Sequence, residues 1–122
     1  MKSVLIAEDE HMNYIYMTDL LEGTEVNILY ASNGLEAVDI FRKDESIILV
    51  LMDIRMPILN GYLATEQMRA IRPGIPIIAQ TAYAMESEKK ALIECFEDYF
   101  VKPIPRNLFR KRLSKYLTFR DE

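Results

Sequence analysis

Six consecutive apolar residues, Ile47-Ile48-Leu49-Val50-Leu51-Met52, run directly into a carboxylate, Asp53, and then into Ile54-Arg55-Met56-Pro57. The run is too short to cross a membrane and too uniformly apolar for a strand with one wet face. It predicts a strand buried on both sides, the condition of a central strand in a parallel sheet. Parallel neighbours need a crossover between them, ordinarily a helix, so the rest of the chain is constrained to alternate strand and helix. Asp53 then stands at the strand's carboxyl end, where open α/β sheets place their ligand sites. A carboxylate in that position is costly to desolvate unless something pairs with it, which makes a purely structural role the weaker reading.

The flanking sequence meets the constraint. Val4-Leu5-Ile6-Ala7 is a second apolar run, followed by the acidic turn Glu8-Asp9-Glu10. Met12, Tyr16 and Leu20 then recur at helical spacing beside Ile15, Met17 and Leu21, with Gly23 closing the helix. Val26, Ile28 and Tyr30 alternate with Asn27 and Leu29 as an edge strand. Asn33 offers an N-cap with Glu36 three residues on, and Leu35, Ala37, Val38 and Phe41 supply that helix's apolar stripe. After Asn60-Gly61, a third helix is marked by Ala64, Met68 and Ile71 and stops near Arg72-Pro73-Gly74. Ile75 to Ala79 predicts a fourth strand leading into Gln80-Thr81-Ala82, and residues 85–95 a shorter helix with Ala91, Leu92 and Cys95 on one side. Tyr99-Phe100-Val101 predicts a fifth strand ending at Lys102-Pro103; Phe109, Leu113, Tyr116 and Leu117 define a last helix opened by Pro105. Five strand–helix units with no internal linker or repeat predict one α/β domain over residues 1–122, a (βα)5 doubly wound parallel sheet. The alternating second strand belongs at an edge, which fits the order 2-1-3-4-5.

Charge and composition narrow the function classes. A net charge of −4 argues against a nucleic-acid partner, which demands a basic face. The basic run Arg106, Arg110, Lys111, Arg112, Lys115 and Arg120 reads as a solvated face or docking patch. Cys95 is the single cysteine, so an internal disulfide and a multi-cysteine metal site are both excluded. Met1-Lys2-Ser3-Val4 enters strand-like sequence with no signal-peptide core, and no apolar span is long enough for a membrane; a cytoplasmic domain without membrane contact is expected.

Parallel strands bring four polar strand ends to one rim: Glu8 and Asp9, Asp53, Thr81, and Lys102. Taken singly, the acids read as a helix cap, Thr81 as a turn hydroxyl and Lys102 as a surface lysine. Taken together they are a reaction centre. Three carboxylates and one ammonium leave about two excess negative charges at close range, which raises a carboxyl pKa unless a cation intervenes. Hard oxygen ligands on an open rim suit Mg2+ rather than zinc. A metal, an ammonium and a hydroxyl around a nucleophilic carboxylate are the parts that phosphoryl transfer needs.

In these motifs the chain resembles the response-regulator receiver domains of two-component signalling, along essentially its whole length. The matching segments are Ile6-Ala7-Glu8-Asp9-Glu10, Leu51-Met52-Asp53-Ile54-Arg55-Met56-Pro57 with Asn60-Gly61, Thr81-Ala82, and Tyr99-Phe100-Val101-Lys102-Pro103. The resemblance implies a flavodoxin-like fold with Asp53 as phosphoacceptor. It implies that Glu8, Asp9, Asp53 and the backbone carbonyl of Arg55 hold Mg2+, and that Thr81 and Lys102 bond the phosphoryl oxygens. Thr81 and Tyr99 then form the switch, Arg55 and Tyr83 tune the phosphoryl lifetime, and the Lys102-Pro103 bond is cis. The implied donor is a phosphohistidine on a histidine kinase or histidine phosphotransfer protein. The output surface is the fourth helix, fifth strand and fifth helix, acting on a phosphorylation-dependent dimer or an output domain, with none inside this chain. Such a domain is a switch contributing catalytic groups for its own phosphorylation and dephosphorylation. Thr81-Ala82-Tyr83-Ala84-Met85 and Lys102-Pro103-Ile104 resemble receivers attached to hybrid histidine kinases, in which case the chain is part of such a kinase.

Three positions depart from the family pattern: Glu8 replaces an aspartate, Leu63 stands where an acid is common, and Cys95 where glycine is usual. Two rival readings remain. A haloacid-dehalogenase-type phosphohydrolase shares the aspartate nucleophile but needs a second aspartate two positions later, where this chain has Arg55. A nucleotide-binding module is opposed by the lack of a glycine-rich loop after the first strand.

Overall fold

The computed structural model describes residues 1–120; the last two residues of the expected domain, 121–122, lie outside them. Strands and helices alternate throughout: β1 (Ser3–Ala7), α1 (His11–Leu20), β2 (Asn27–Ala31), α2 (Gly34–Lys43), β3 (Ile47–Asp53), α3 (Gly61–Ile71), β4 (Ile77–Thr81), α4 (Glu86–Cys95), β5 (Asp98–Val101) and α5 (Arg106–Leu113). The strands form one parallel sheet in the order β2-β1-β3-β4-β5. This is the doubly wound, flavodoxin-like arrangement expected.

Strand β3 is buried on both faces, as its composition requires. Val50 and Met52 join one core with Ala37, Val38 and Phe41 of α2, Ala64 and Met68 of α3, and Leu92 of α4. Leu49 and Leu51 join the other, with Met17 and Leu20 of α1 and Phe109 and Leu113 of α5. Asp53 ends the strand and pairs in register with Gln80.

Local chemistry explains the helix starts near the rim. The Asn33 side chain accepts from the Glu36 N–H at 2.8 Å, while Glu36 Oε1 accepts from the Ser32 N–H at 2.9 Å, a reciprocal cap for α2. Asn60 caps α3 by accepting from the Leu63 N–H at 3.0 Å. Gly61 follows it because the helix end presses on β3: a Cβ there would overlap the Asp53 carbonyl oxygen.

Several sequence expectations shift. β4 begins at Ile77, two residues after Ile75, because Pro76 has no N–H for the ladder and contributes only its carbonyl, which accepts from the Val50 N–H at 3.1 Å. The α1 stripe is Met17 and Leu20 with Leu21 and half-buried Tyr14; Met12 and Ile15 face outward, and Tyr16 lies at the margin with its hydroxyl donating to the Ile104 carbonyl. In α2, Gly34 takes the buried place and Leu35 is exposed. Helix α5 ends at Leu113, and Tyr116 and Leu117 follow in a turn bonded back to the Leu113 carbonyl. Spacing identifies a helix, but which of its apolar residues meets the sheet depends on how the helix is rotated. Leu63 lies exposed on α3 and Cys95 exposed at the end of α4.

Candidate functional site

The rim formed by the carboxyl ends of β1, β3, β4 and β5 gathers Glu8, Asp9, Asp53, Thr81 and Lys102. Glu8 is fully buried and Asp53 nearly so, whereas Asp9 is exposed. Carboxylate oxygens of Glu8, Asp9 and Asp53 all lie within 4.8 Å of one another. Lys102 reaches into this group from β5: its Nζ donates to Glu8 Oε1 at 2.9 Å and stands 3.4 Å from Asp53 Oδ1. The Lys102-Pro103 bond after β5 is cis. The acidic turn is not spent on capping, since Glu10 occupies the N-cap of α1 without a side-chain capping bond.

The charge imbalance has a visible consequence. Burial and the neighbouring Glu8 charge push the Asp53 carboxyl up to about 7, against the opposing pull of the Lys102 ammonium. Burial alone would lower Lys102, but its hydrogen bond to Glu8 and the charges of Asp53 and Glu8 outweigh that and raise it. The lysine is therefore held cationic while the cluster keeps excess negative charge. That donor set, three carboxylates with neither histidine nor cysteine, fits a hard divalent cation such as Mg2+.

Thr81 is buried, and its hydroxyl is tied to the loop after β4: Oγ1 donates to the Tyr83 carbonyl at 3.0 Å and accepts from the Tyr83 N–H at 3.1 Å. Tyr99 is half-buried on β5, against the core formed under α2, α3 and α4. Arg55 and Tyr83 meet at the mouth of the site, the guanidinium 4.5 Å from the ring centroid. Arg55 also reaches Glu88 of α4, at 3.7 Å.

Sequence reasoning missed three of these features. The direct Glu8–Lys102 pair depends on the longer arm of glutamate, and Glu88 as a partner of Arg55 carries no sequence signal. Gln80 is different: it lies 2% exposed in β4 and neither side-chain polar atom has a hydrogen-bond partner among the described residues. A primary amide at the end of the apolar run Ile77-Ile78-Ala79 was visible in the sequence as an anomaly. The basic run of α5 is partly consumed internally, Arg106 pairing with Asp19 at 2.8 Å and Arg112 with Asp98 at 3.4 Å, as expected of a solvated face.

Comparison with known proteins places these features in a family. Residues 4–114 match the model described as response regulator receiver domain. Hybrid signal transduction histidine kinase I of Dictyostelium discoideum is 39% identical over 95% of this chain. The chain spans 7% of that protein's length, and 13% of the sensor kinases it also matches. The receiver domain of the sensor histidine kinase PA1611 from Pseudomonas aeruginosa, solved with magnesium in its active-site cleft, superposes with a TM-score of 0.83 at 29% identity, covering 94% of this chain and 96% of that one. The receiver domain of Ssk1 from Saccharomyces cerevisiae, crystallised with the phosphotransfer protein Ypd1, gives 0.82 at 27% identity over 94% of this chain and 88% of that one.

Proposed function

Because the chain belongs to the response regulator receiver domain family and is a receiver of two-component signalling, we propose that Asp53 takes a phosphoryl group from a phosphohistidine and that this modification is its signal. The observation that carries the reading is the placement of Lys102 between two buried carboxylates, 2.9 Å from Glu8 and 3.4 Å from Asp53. A structural lysine needs one partner; a lysine spanning a nucleophile and a second acid is placed to meet a third anion.

Mg2+ is the cofactor, which Glu8, Asp9, Asp53 and the Arg55 carbonyl would hold; the clustered carboxylates and the magnesium in the PA1611 receiver's cleft support a metal at this rim. Bound there, the ion would supply charge neutralisation for the phosphoryl oxygens. Asp53 attacks phosphorus through a carboxylate oxygen as the P–N bond breaks, its electron pair returning to the imidazole nitrogen, and the product is an acyl phosphate. Lys102 bonds one phosphoryl oxygen. Thr81 bonds another, which requires its hydroxyl to leave Tyr83 and draws the loop after β4 toward the rim. Tyr99 follows by turning inward, altering the α4–β5–α5 face, where Ile93, Val101 and Leu108 are exposed. That face is the output surface, for a second copy or an output domain.

Receivers are phosphoacceptor switches and not classical enzymes. The same groups also support self-dephosphorylation, with Arg55 and Tyr83 restricting the attacking water. The donor is a histidine kinase or a phosphotransfer protein, consistent with the Ssk1–Ypd1 complex. The location proposed is cytoplasmic; among the described residues no helix is long and apolar enough to cross a membrane. The phosphohydrolase alternative gains nothing from Arg55, whose side chain is spent on Tyr83 and Glu88.

Incubation with Mg2+ and phosphoramidate followed by intact mass measurement tests the proposal. One phosphoryl group is expected on the wild type and none on Asp53→Asn; no gain in the wild type, or an equal gain in the variant, refutes it.

A further inference from the structure

Arg55 stands in the loop after β3, two residues beyond Asp53, and its guanidinium is held at two places at once. It lies over the Tyr83 ring, 4.5 Å from the centroid, while Nη2 is 3.7 Å from Glu88 Oε1 in the first turn of α4. A planar guanidinium can stack on an aromatic ring with its face and meet a carboxylate with its edge. Neither contact is strong alone. The Arg55 side chain is 61% exposed, and at such sites a cation–π contact or an ion pair gains little over the freedom of a long side chain. Together they hold the arginine across the mouth of the site.

Glu88 has a simpler reading, as an acid complementing the amino-terminal end of a helix. α4 carries another acid there, Glu86, which fills that role without meeting Arg55: it is exposed and pairs within the helix, with Lys89 at 3.3 Å. Glu88 differs in facing inward. Its side chain is 29% exposed and lines, with Arg55, Tyr62 and Ser87, a cavity of about 410 Å³ between the loop after β3 and α4. Across that gap α4 is lightly fastened: among the described residues only Leu92 of this helix is buried, and Met85 gives its first turn no side-chain cap. The Tyr83 backbone in turn holds the Thr81 hydroxyl, so Glu88, Arg55, Tyr83 and Thr81 form one line of contacts from α4 to the rim.

We propose that Glu88 is a positioning residue for Arg55: its carboxylate keeps the guanidinium against the Tyr83 ring, closes the mouth of the site over the phosphoryl group, and so lengthens the phosphoryl lifetime. This rests on the reading of Arg55 and Tyr83 as a screen against water and adds the residue that holds the screen shut. It also makes the seating of α4 a determinant of that lifetime.

The test compares Glu88→Gln with Glu86→Gln, which removes the same charge from the same helix turn. Each protein is loaded with phosphoramidate and Mg2+, the donor is removed, and loss of the added mass is followed. Glu88→Gln is expected to shorten the lifetime by about two- to fivefold, the range open to a partly exposed ion pair, and Glu86→Gln to leave it unchanged. Added salt should shorten the wild-type lifetime and leave that of Glu88→Gln unaltered. In an Arg55→Ala background, Glu88→Gln should have no further effect. A Glu88→Gln lifetime equal to wild type, equal shortening by the two glutamine variants, or a full effect of Glu88→Gln without Arg55 would each overturn the proposal. ¹⁵N relaxation of the Arg55 Nε–Hε group in the unphosphorylated protein reads the contact directly: order lowered by Glu88→Gln and not by Glu86→Gln supports it, and unchanged order overturns it. Should Arg55→Ala leave the lifetime unaltered, the screening role fails, and the Arg55 signal still decides whether Glu88 holds the guanidinium.

Discussion

Replacing Asp53 with asparagine will stabilise the metal-free protein, and by a margin that grows with pH. The wild-type carboxyl is pushed from 3.8 to about 7 by burial and by Glu8. A folded-state pKa above the unfolded value means that the group's contribution to stability is fully present below about pH 4 and is lost as pH rises through about 7. A shift of about three units, at about 1.4 kcal/mol each, makes the full loss ~4 kcal/mol, of which ~2 kcal/mol develops between about pH 5.5 and pH 8. Asparagine has nearly the shape of protonated aspartate and does not titrate, so the variant escapes this loss. Urea unfolding in the presence of a chelator, run at those two pH values, reads the difference directly as a gap between the two proteins that widens by ~2 kcal/mol. Saturating Mg2+ should stabilise the wild type most at the higher pH and the variant little, because the cation relieves the same repulsion. A gap that stays constant with pH would refute the idea that burial of Asp53, with the Glu8 charge beside it, sets the cost of the site.

Lys102→Met leaves Glu8 buried without its counter-charge and should cost about 3–5 kcal/mol in urea unfolding, with much of that recovered when Glu8→Gln is added; an additive double variant would show that the pair is not coupled. Gly61→Ala should destabilise by about 1–3 kcal/mol, because the new methyl meets the Asp53 carbonyl where the backbone cannot yield, and should weaken Mg2+ binding by displacing Asp53; unchanged Mg2+ affinity in calorimetry would count against that coupling. Arg55→Ala and Tyr83→Ala should each shorten the lifetime of the phosphorylated protein by opening the mouth of the site, followed as loss of the added mass over time; lifetimes equal to wild type would exclude the shielding role.

Much of the molecule was legible because its signals are local. The unbroken apolar run before Asp53 required a strand covered on both faces, and the cores on either side of β3 meet that requirement. The N-caps Asn33 and Asn60 and the breakers near Arg72 set helix limits by backbone chemistry that neighbours in sequence supply. The polar residues following the strands identified the rim, since parallel strands necessarily bring their carboxyl ends together. What stayed hidden depends on rotation and reach. Nothing in the spacing of α1 distinguishes buried Met17 from exposed Met12 until the helix is laid on the sheet.

The sequence by itself determined that five strands would carry their carboxylates, hydroxyl and ammonium to one edge of a parallel sheet, because hydrophobic period and chain connectivity leave no other compact arrangement. Only the tertiary structure decided which acid the lysine meets and which buried polar groups lack a partner among the described residues. Glu8 and Lys102 are 94 residues apart, and their contact at 2.9 Å follows from strand register and the length of one side chain. The Gln80 amide has no partner among the described residues for a similar reason: β4 alternation turns it toward the face that α1 and α5 cover, which is otherwise apolar. Such pairings are properties of the packed interior, where a shift of about one ångström separates a hydrogen bond from none.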